Sequence, residues 1–208
     1  MNEMLSSLTL PEFTSRLASK APVPGGGGAA ALTAANAAAL VAMAGSLTVG
    51  KKKYAAVREQ LQQNIELCGA LRERFLSLID ADAEAFLPLQ QAYSIPKDDP
   101  ARAEVMQQAS LTAASAPLQM LRALSQLLPL AEQMAQLCSP LVISDVGCAA
   151  SLCAAAAQSA AINVFVNTSG LAAAQSLETE AKQLLADCEN RACALTQAVL
   201  RRFQKEEN

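Results

Sequence analysis

Two long stretches without a charged side chain constrain the fold of this chain more than any other feature of its sequence. They cover residues 29–49 and 146–177, and each is long enough to span a bilayer. Both consist mainly of Ala, Gly, Ser, Thr, Asn and Cys, whereas membrane insertion favours Leu, Ile and Phe. We therefore interpret them as helices buried in a soluble bundle, where small side chains allow close approach, and we predict no membrane association.

The remaining composition favours helices as well. Apolar residues make up 52% of the 208 residues, but only 3% are aromatic and Trp is absent. Ala and Leu dominate the apolar set, whereas a β-sandwich would be enriched in Val, Ile, Tyr and Phe. We predict an all-α, single-domain bundle over residues 1–208, with about five or six helices, some of them long and kinked at proline.

Caps, prolines and glycines predict where these helices begin and end. Thr9-Leu10-Pro11-Glu12 is a capping-box pattern that starts a first helix. A fourth segment is expected to bend at Pro117 and Pro129. The predicted helices run over about 10–20, 29–48, 51–92, from the break at 94–100 to 137, from 139 to 168, and over 172–205.

The absence of histidine removes several kinds of active site. The sequence has none, which excludes Ser-His triads and most zinc sites, so proton transfer must rely on Asp, Glu, Lys, Tyr or Cys. A net charge of -3 offers no basic surface for nucleic acid. The six cysteines lack C-x-x-C spacing, and no signal-peptide pattern is visible, so we predict reduced core thiols in a cytoplasmic protein without metal.

Four consecutive glycines, Gly25 to Gly28, follow Pro24 directly. We predict that residues 21–28 are irregular and that their backbone N–H groups bind an anion or a flat polar ring at the start of the next helix. The alternative is a flexible linker. The segment matches neither the dinucleotide-binding pattern nor the P-loop pattern.

Three lysines, Lys51 to Lys53, open the next predicted helix. Cations at a helix start oppose the helix dipole, so they destabilise the helix unless an anionic partner relieves them. The alternative is an ordinary solvated charge cluster.

Asp82 lies within an apolar stripe of the third predicted helix. Its neighbours at three, four or seven residues are Phe75, Leu78, Ile79, Ala85, Phe86 and Leu89. A carboxylate inside such a stripe is costly unless it is paired or functional, and burial raises its pKa toward values useful for acid–base chemistry. Asp80 and Glu84 project toward other faces. The alternative is a structural Asp satisfied by a helix cap or a lysine.

Asp145 and Asn163 share a face of the fifth predicted helix, because 18 residues are five helical turns. Asn167 lies near the same line. At 1.5 Å per residue the first two stand about 27 Å apart, so they cannot contact one reacting atom together. Either one is structural, or the two serve different parts of a long ligand or the sites of different subunits. For the two asparagines, hydrogen bonding between helices is the alternative.

Five motifs occur in the order in which one enzyme family has them. They are Pro22-Val23-Pro24-Gly25-Gly26-Gly27, Leu47-Thr48-Val49-Gly50-Lys51-Lys52-Lys53-Tyr54, Asp80-Ala81-Asp82-Ala83 with Phe86, Ile95-Pro96-Lys97, and Ser144-Asp145-Val146-Gly147 followed by Asn163-Val164 and Asn167. From about residue 10 to 205 the chain resembles the cyclodeaminase/cyclohydrolase family. This family includes the C-terminal domain of formiminotransferase-cyclodeaminase and the stand-alone bacterial methenyltetrahydrofolate cyclohydrolases.

The resemblance implies a helical enzyme, dimeric or larger, that uses a tetrahydrofolate derivative as substrate and needs neither metal nor prosthetic group. Asp82 matches the position expected to be catalytic. The candidate substrate-binding residues are Pro24, Gly25, Gly26, Gly27, Lys51, Lys52, Asp145, Asn163 and Asn167. One departure is visible, because the family often has Ser after three glycines and this chain has Gly28. That change removes any hydroxyl contribution from this position.

Our prediction from the sequence is a methenyltetrahydrofolate cyclohydrolase, which converts 5,10-methenyltetrahydrofolate and water to 10-formyltetrahydrofolate with Asp82 as acid and base. The lack of a fused transferase favours this reaction. One alternative is a formimidoyltetrahydrofolate cyclodeaminase, which closes the methenyl ring of 5-formiminotetrahydrofolate and releases ammonia. Another is a non-catalytic helical dimerisation or scaffold protein. A homodimer is expected in each case.

Overall fold

Seven α-helices and four short 3-10 helices form the structure, a computed structural model that describes residues 4–204. The α-helices are α1 (Leu10–Leu17), α2 (Gly26–Val49), α3 (Arg58–Ala92), α4 (Arg102–Ala113), α5 (Ser115–Leu137), α6 (Ile143–Thr168) and α7 (Gln175–Arg201). The described residues contain no strand, so the predicted all-α class is confirmed. The predicted end of the last helix, residue 205, lies outside them.

The capping box at α1 is present as predicted: the backbone N–H of Thr9 donates to the Glu12 carboxylate, and its hydroxyl accepts from the Glu12 backbone. The start of α2 differs from the prediction. Gly26, Gly27 and Gly28 form its first turn instead of an irregular loop. Propensity argues against glycine in a helix, and here the close approach of neighbouring helices outweighs it.

Two further boundaries differ from the prediction. Lys51 precedes a 3-10 helix, Lys52–Val57, and α3 begins only at Arg58. The fourth predicted segment is divided into α4 and α5 at Ala114. Pro117 explains this break, because its ring clashes with the carbonyl four residues earlier, at the last residue of α4. Pro129 is accommodated inside α5.

Helix α2 packs against α3, α5 and α6 at the centre of the bundle. Its neighbours approach closely because glycine removes the Cβ atom: a Cβ at Gly45 would lie 2.7 Å from Ile65 of α3 and from Met134 of α5. The hydroxyl of Thr48, in the last turn of α2, accepts from the backbone N–H of Ser139, just before α6. Helices α2 and α6 are therefore antiparallel.

Two helical stretches, Gly26–Val49 and Pro140–Thr168, are long and apolar enough to cross a membrane, and about half of each is buried inside the fold. Core helices of soluble bundles have the same composition. The absence of a membrane partner stays a prediction.

The cysteines are free, and four of the six are buried. The prediction that all six are core thiols is wrong for Cys148 and Cys193, which lie on exposed helix faces. Among residues 4–204 no three His, Cys, Asp or Glu side chains form a group suited to a metal ion.

Candidate active site

The carboxylate of Asp82 lies against the first turn of α2. A Cβ placed on Gly27 would be only 2.5 Å from Cγ of Asp82, so no other residue fits without displacing this carboxylate. The four buried members of its stripe, Phe75, Leu78, Ile79 and Leu89, anchor α3 in the core. Asp82 itself is half-buried. The predicted placement of a carboxylate within a core stripe is thus observed.

Burial raises the pKa of the Asp82 carboxyl from 3.8 to about 6, and the backbone N–H of Gly28 acts in the opposite direction. No Lys or Arg of the described chain contributes to this pKa. None of the five ion pairs found among residues 4–204 includes Asp82. The carboxylate is therefore poised between its two protonation states near neutral pH, as general acid–base chemistry requires.

Asp80 has a different environment, although it is only two residues away. Its Oδ1 accepts the backbone N–H of Leu5 at 2.6 Å, and Leu5 is buried. Asp80 thereby anchors the N-terminal segment to α3, whereas Glu84 is exposed. Of the three acidic residues in this turn and a half, Asp82 is the one that faces α2.

Asn163 of α6 reaches the same end of the bundle from the other side of α2. A Cβ on Gly26 would lie 3.1 Å from its Nδ2 atom. This Nδ2 donates to the backbone carbonyl of Ser159 at 2.8 Å, and Nδ2 of Asn167 donates to the carbonyl of Asn163 at 2.9 Å. The two asparagines therefore bond within their own helix, and the predicted alternative of bonds between helices is not what the structure shows.

Pro24 and Phe13 pack against the first turn of α2 at Gly28. A Cβ on Gly28 would lie 3.1 Å from Pro24 Cβ and 3.9 Å from the Phe13 ring. Both residues are buried, so Pro24 acts here by packing under the first turn of α2. Gly25 is the N-cap residue and gives α2 no side-chain cap. The carboxylate of Asp82, from α3, instead accepts the backbone N–H of Gly28 in this turn.

The other predicted site residues lie at the opposite end. Lys51 and Lys52 follow the last turn of α2, and at 1.5 Å per residue Lys51 stands about 36 Å from Gly27 along the helix. Asp145 is in the first turn of α6, about 27 Å from Asn163. Within one chain, therefore, Asp82, Gly26, Gly27 and Asn163 come together, while Lys51, Lys52 and Asp145 do not join them.

The roles of Asp80 and Phe13 were missed in the sequence. A capping role for Asp80 could have been suspected, because an Asp that lies off the apolar stripe of a core helix is free to accept backbone N–H groups from a neighbouring segment. Phe13 gave a weaker signal, as the one aromatic residue of a short amphipathic helix.

The fold and the site together define an all-α bundle that holds a half-buried carboxylate of raised pKa against the start of its central helix. The chain belongs to the formiminotransferase-cyclodeaminase family, whose model matches residues 9–186. The family assignment made from the five motifs is thereby confirmed.

Two curated relatives are enzymes of folate chemistry by name. The chain is 43% identical over 172 residues to the methenyltetrahydrofolate cyclohydrolase of Methylorubrum extorquens, covering 81% of this chain and 83% of that protein. It is 30% identical to the formimidoyltransferase-cyclodeaminase of Mus musculus, of which it spans only 31% of the length. Both names agree with the predicted folate enzyme and not with a scaffold.

A solved structure shares the fold. The crystal structure of formiminotetrahydrofolate cyclodeaminase from Thermotoga maritima matches with a TM-score of 0.83 and 27% identity, over 94% of this chain and 99% of that one.

Proposed function

We propose that this protein is a methenyltetrahydrofolate cyclohydrolase that converts 5,10-methenyltetrahydrofolate and water to 10-formyltetrahydrofolate. The observation that carries the proposal is the environment of Asp82, a half-buried carboxylate without a cationic partner among the described side chains. A ligand whose reacting carbon bears a positive charge would supply the missing partner. The 43% identity to a cyclohydrolase of similar length supports the same reaction.

In this proposal Asp82 acts first as a base. Its ionised form takes a proton from water while the oxygen attacks the cationic methenyl carbon, which gives a neutral hydrated intermediate. The protonated Asp82 then returns its proton to folate nitrogen 5 as the bond between this nitrogen and the carbon breaks. The hydroxyl of the intermediate loses its remaining proton to solvent, so the one-carbon unit stays on nitrogen 10 as a formyl group, and Asp82 is ionised again.

The test is a direct assay with both candidate substrates. Purified protein is mixed with 5,10-methenyltetrahydrofolate, and the near-UV absorbance of the methenyl form is followed against buffer alone. Loss faster than in buffer supports the hydrolase. If the absorbance decays at the buffer rate, the proposal is wrong.

A formimidoyltetrahydrofolate cyclodeaminase is the second candidate, because the match to the Thermotoga maritima cyclodeaminase extends over nearly the whole of both chains. In that reaction Asp82 would protonate the departing ammonia. Incubation with 5-formiminotetrahydrofolate separates the two, since the absorbance of the methenyl form then appears instead of disappearing.

We also propose a homodimer in which the charge-free faces of α2 and α6 pack against a second copy. Exposed apolar side chains lie along both helices: Leu47 is 50% exposed, Ile162 65% and Val166 70%. An antiparallel pair would place the Lys51 end of one copy beside the Asp82 end of the other. This arrangement would unite the two groups of predicted site residues, with the lysines available to the glutamate carboxylates of the folate.

Light scattering on the purified protein tests the dimer. We expect twice the chain mass of 21.7 kDa, and a shift to a single chain in the double variant Leu47→Glu, Val166→Glu. The control is Leu67→Glu, which changes a 52% exposed leucine on α3, a helix outside the proposed interface. A single-chain mass for the unmodified protein would refute the dimer.

A cytoplasmic location is likewise our proposal. Six cysteines without a disulfide accord with a reducing compartment. Fractionation of expressing cells, with the protein followed by antibody, would check this, and recovery outside the soluble fraction would contradict it.

A further inference from the structure

A cavity of about 340 Å³ lies between the start of α3 and the end of α5. The two helices are antiparallel, since Arg74 of α3 bonds to Gln126 of α5 farther along the pair. On each helix the lining residues occupy positions i, i+3 and i+4, so they share one face. Five side-chain amides and one leucine line the cavity: Gln60, Gln63 and Asn64 from α3, and Gln133, Gln136 and Leu137 from α5.

Asn64 lies at the base of this cavity. It is only 4% exposed, whereas the four glutamines are exposed around it. Its Nδ2 atom is buried and has no hydrogen-bond partner among the residues that the structure describes. A buried N–H group without a partner destabilises a fold, and the cavity is much larger than the space that one ordered water needs. The amide at this position therefore indicates an occupant that brings a hydrogen-bond acceptor.

The charged residues next to the cavity in the sequence do not line it. Glu132 bonds to Arg191 of α7 at 2.8 Å, and Glu59 is exposed in the first turn of α3. An ion in the cavity would lose hydration without gaining a counter-charge. An apolar molecule would find one apolar side chain, that of Leu137. The lining thus favours an uncharged, polar ligand.

The chemistry of the lining also indicates the polar group. Each side-chain amide offers N–H donors and a carbonyl acceptor. A carboxamide or peptide amide offers the same pair, so the two can join through two hydrogen bonds without any charge. The last four carbonyls of a helix have no partner within that helix, so those of Gln136 and Leu137 add backbone acceptors for a ligand N–H.

We propose that this cavity is a binding site for an uncharged amide, a CO–NH group whose oxygen accepts a hydrogen bond from Nδ2 of Asn64. The site is separate from the candidate active site. Asn64 and Asp82 are 18 residues apart on one helix, which places them about 27 Å apart along its axis. The proposal therefore stands or falls independently of the proposed hydrolysis.

The experiment compares three probes of similar size and different charge. N-acetylglycinamide is uncharged, N-acetylglycine is an anion, and glycinamide is a cation. Saturation-transfer NMR titrations with the purified full chain measure the dissociation constant of each. We expect the uncharged probe to bind in the millimolar range, as suits so small a molecule, and the two ions to bind at least about tenfold more weakly. Equal binding of all three probes, or binding of none, overturns the proposal.

Three variants connect this binding to the cavity. Asn64→Leu removes the amide, so we expect at least about tenfold weaker binding of N-acetylglycinamide, and a Tm higher by about 2–4 °C because the unpaired N–H is gone. Gln133→Ala truncates an exposed wall residue, and should weaken binding about threefold with Tm unchanged. Gln62→Leu is the matched control on α3, since Gln62 bonds to Glu66 and does not line the cavity.

The variants also separate a ligand site from a purely structural amide. If Asn64→Leu lowers Tm and binds the probe as the unmodified protein does, Asn64 supports the fold and the proposal is wrong. If Asn64→Leu perturbs the core, Gln133→Ala still reports on the site from the surface. Unchanged affinity in Gln133→Ala, or an equal loss in Gln62→Leu, places the bound probe elsewhere and overturns the assignment.

Discussion

The two ends of α2 differ in almost every chemical respect, although the helix itself carries no charge. At its start, glycines admit the Asp82 carboxylate and the Asn163 amide to within contact of the backbone. At its end, Gly50 has no atom within 4 Å of a notional Cβ, and exposed lysines follow it. The first end allows close approach of neighbouring helices, whereas the second exposes cationic side chains to solvent. The residues that the sequence analysis grouped as one site therefore fall into two groups, separated by the length of the helix.

The largest expected effect is the loss of activity in Asp82→Asn. Removal of a general base costs about a hundredfold to ten thousandfold in rate, so we expect kcat for methenyl hydrolysis to fall by that factor. Asp80→Asn is the matched control, because its retained Oδ1 can still accept from Leu5. Equal losses in the two variants would contradict the distinction drawn between these neighbouring carboxylates.

Next in size is the effect of a single methyl group at each end of α2. In Gly27→Ala the new Cβ collides with Asp82, so we expect about a hundredfold loss of kcat and a free energy of unfolding lower by about 1–3 kcal/mol. Gly50→Ala adds the same atom in open space and should keep both values. Steady-state kinetics and urea unfolding measure the pair. Comparable damage at both positions would remove the contrast between the ends.

A smaller effect is expected at the lysine end. The double variant Lys51→Ala, Lys52→Ala should raise KM about tenfold with kcat unchanged, because surface cations would bind the substrate carboxylates without touching the reacting carbon. Mixing it with Asp82→Asn under conditions that exchange subunits should give up to about a quarter of all sites the unmodified KM, seen as a gain in rate at substrate concentrations well below the raised KM, if each site combines both ends from two chains. No recovery in the mixture would argue against the shared site.

The smallest effect concerns pH and stability. The folded chain holds the Asp82 proton up to about pH 6, whereas the unfolded chain releases it near 3.8. Between these values the folded state binds more protons, so the contribution of Asp82 to stability falls as pH rises. Asp82→Asn should therefore be more stable than the unmodified protein by about 1–2 kcal/mol at pH 8, with little difference at pH 3.5. Thermal melts of both proteins across this pH range measure the difference in stability. A difference that shrinks as the pH rises would contradict the prediction.

The same titration predicts the pH profile of hydrolysis. In the ligand-free protein the base form of Asp82 becomes populated above pH 6, so kcat/KM should rise about tenfold between pH 5 and 7 and then level off. A profile that is flat across this range would exclude Asp82 as the base.

The sequence predicted the helical class and the special position of Asp82, because both follow from periodicity within one segment. It did not predict that Gly26–Gly28 are helical, since the reason for these glycines lies on α3 and α6, far away in the chain. The break between α4 and α5 at Ala114 could have been predicted, because Pro117 disrupts the helical turn directly before it.

The placement of the lysines could also have been predicted. The length argument that separated Asp145 from Asn163 applies equally to Gly27 and Lys51, because one uninterrupted helix joins them. The packing of two copies in the proposed dimer could not have been predicted, because no local sequence pattern determines how two bundles meet.

The first turn of α2 has a consequence for how the protein is made. Each glycine costs a helix about 1 kcal/mol relative to alanine, and Gly25 adds no side-chain cap, so this turn has little tendency to form by itself. It depends on the docking of α3 and of α6, and Asn163 of α6 is synthesised late. A ribosome-bound chain that ends before α6 would therefore lack an ordered first turn of α2 beside Asp82. Catalytic competence would arrive near the end of translation, as a late step of folding.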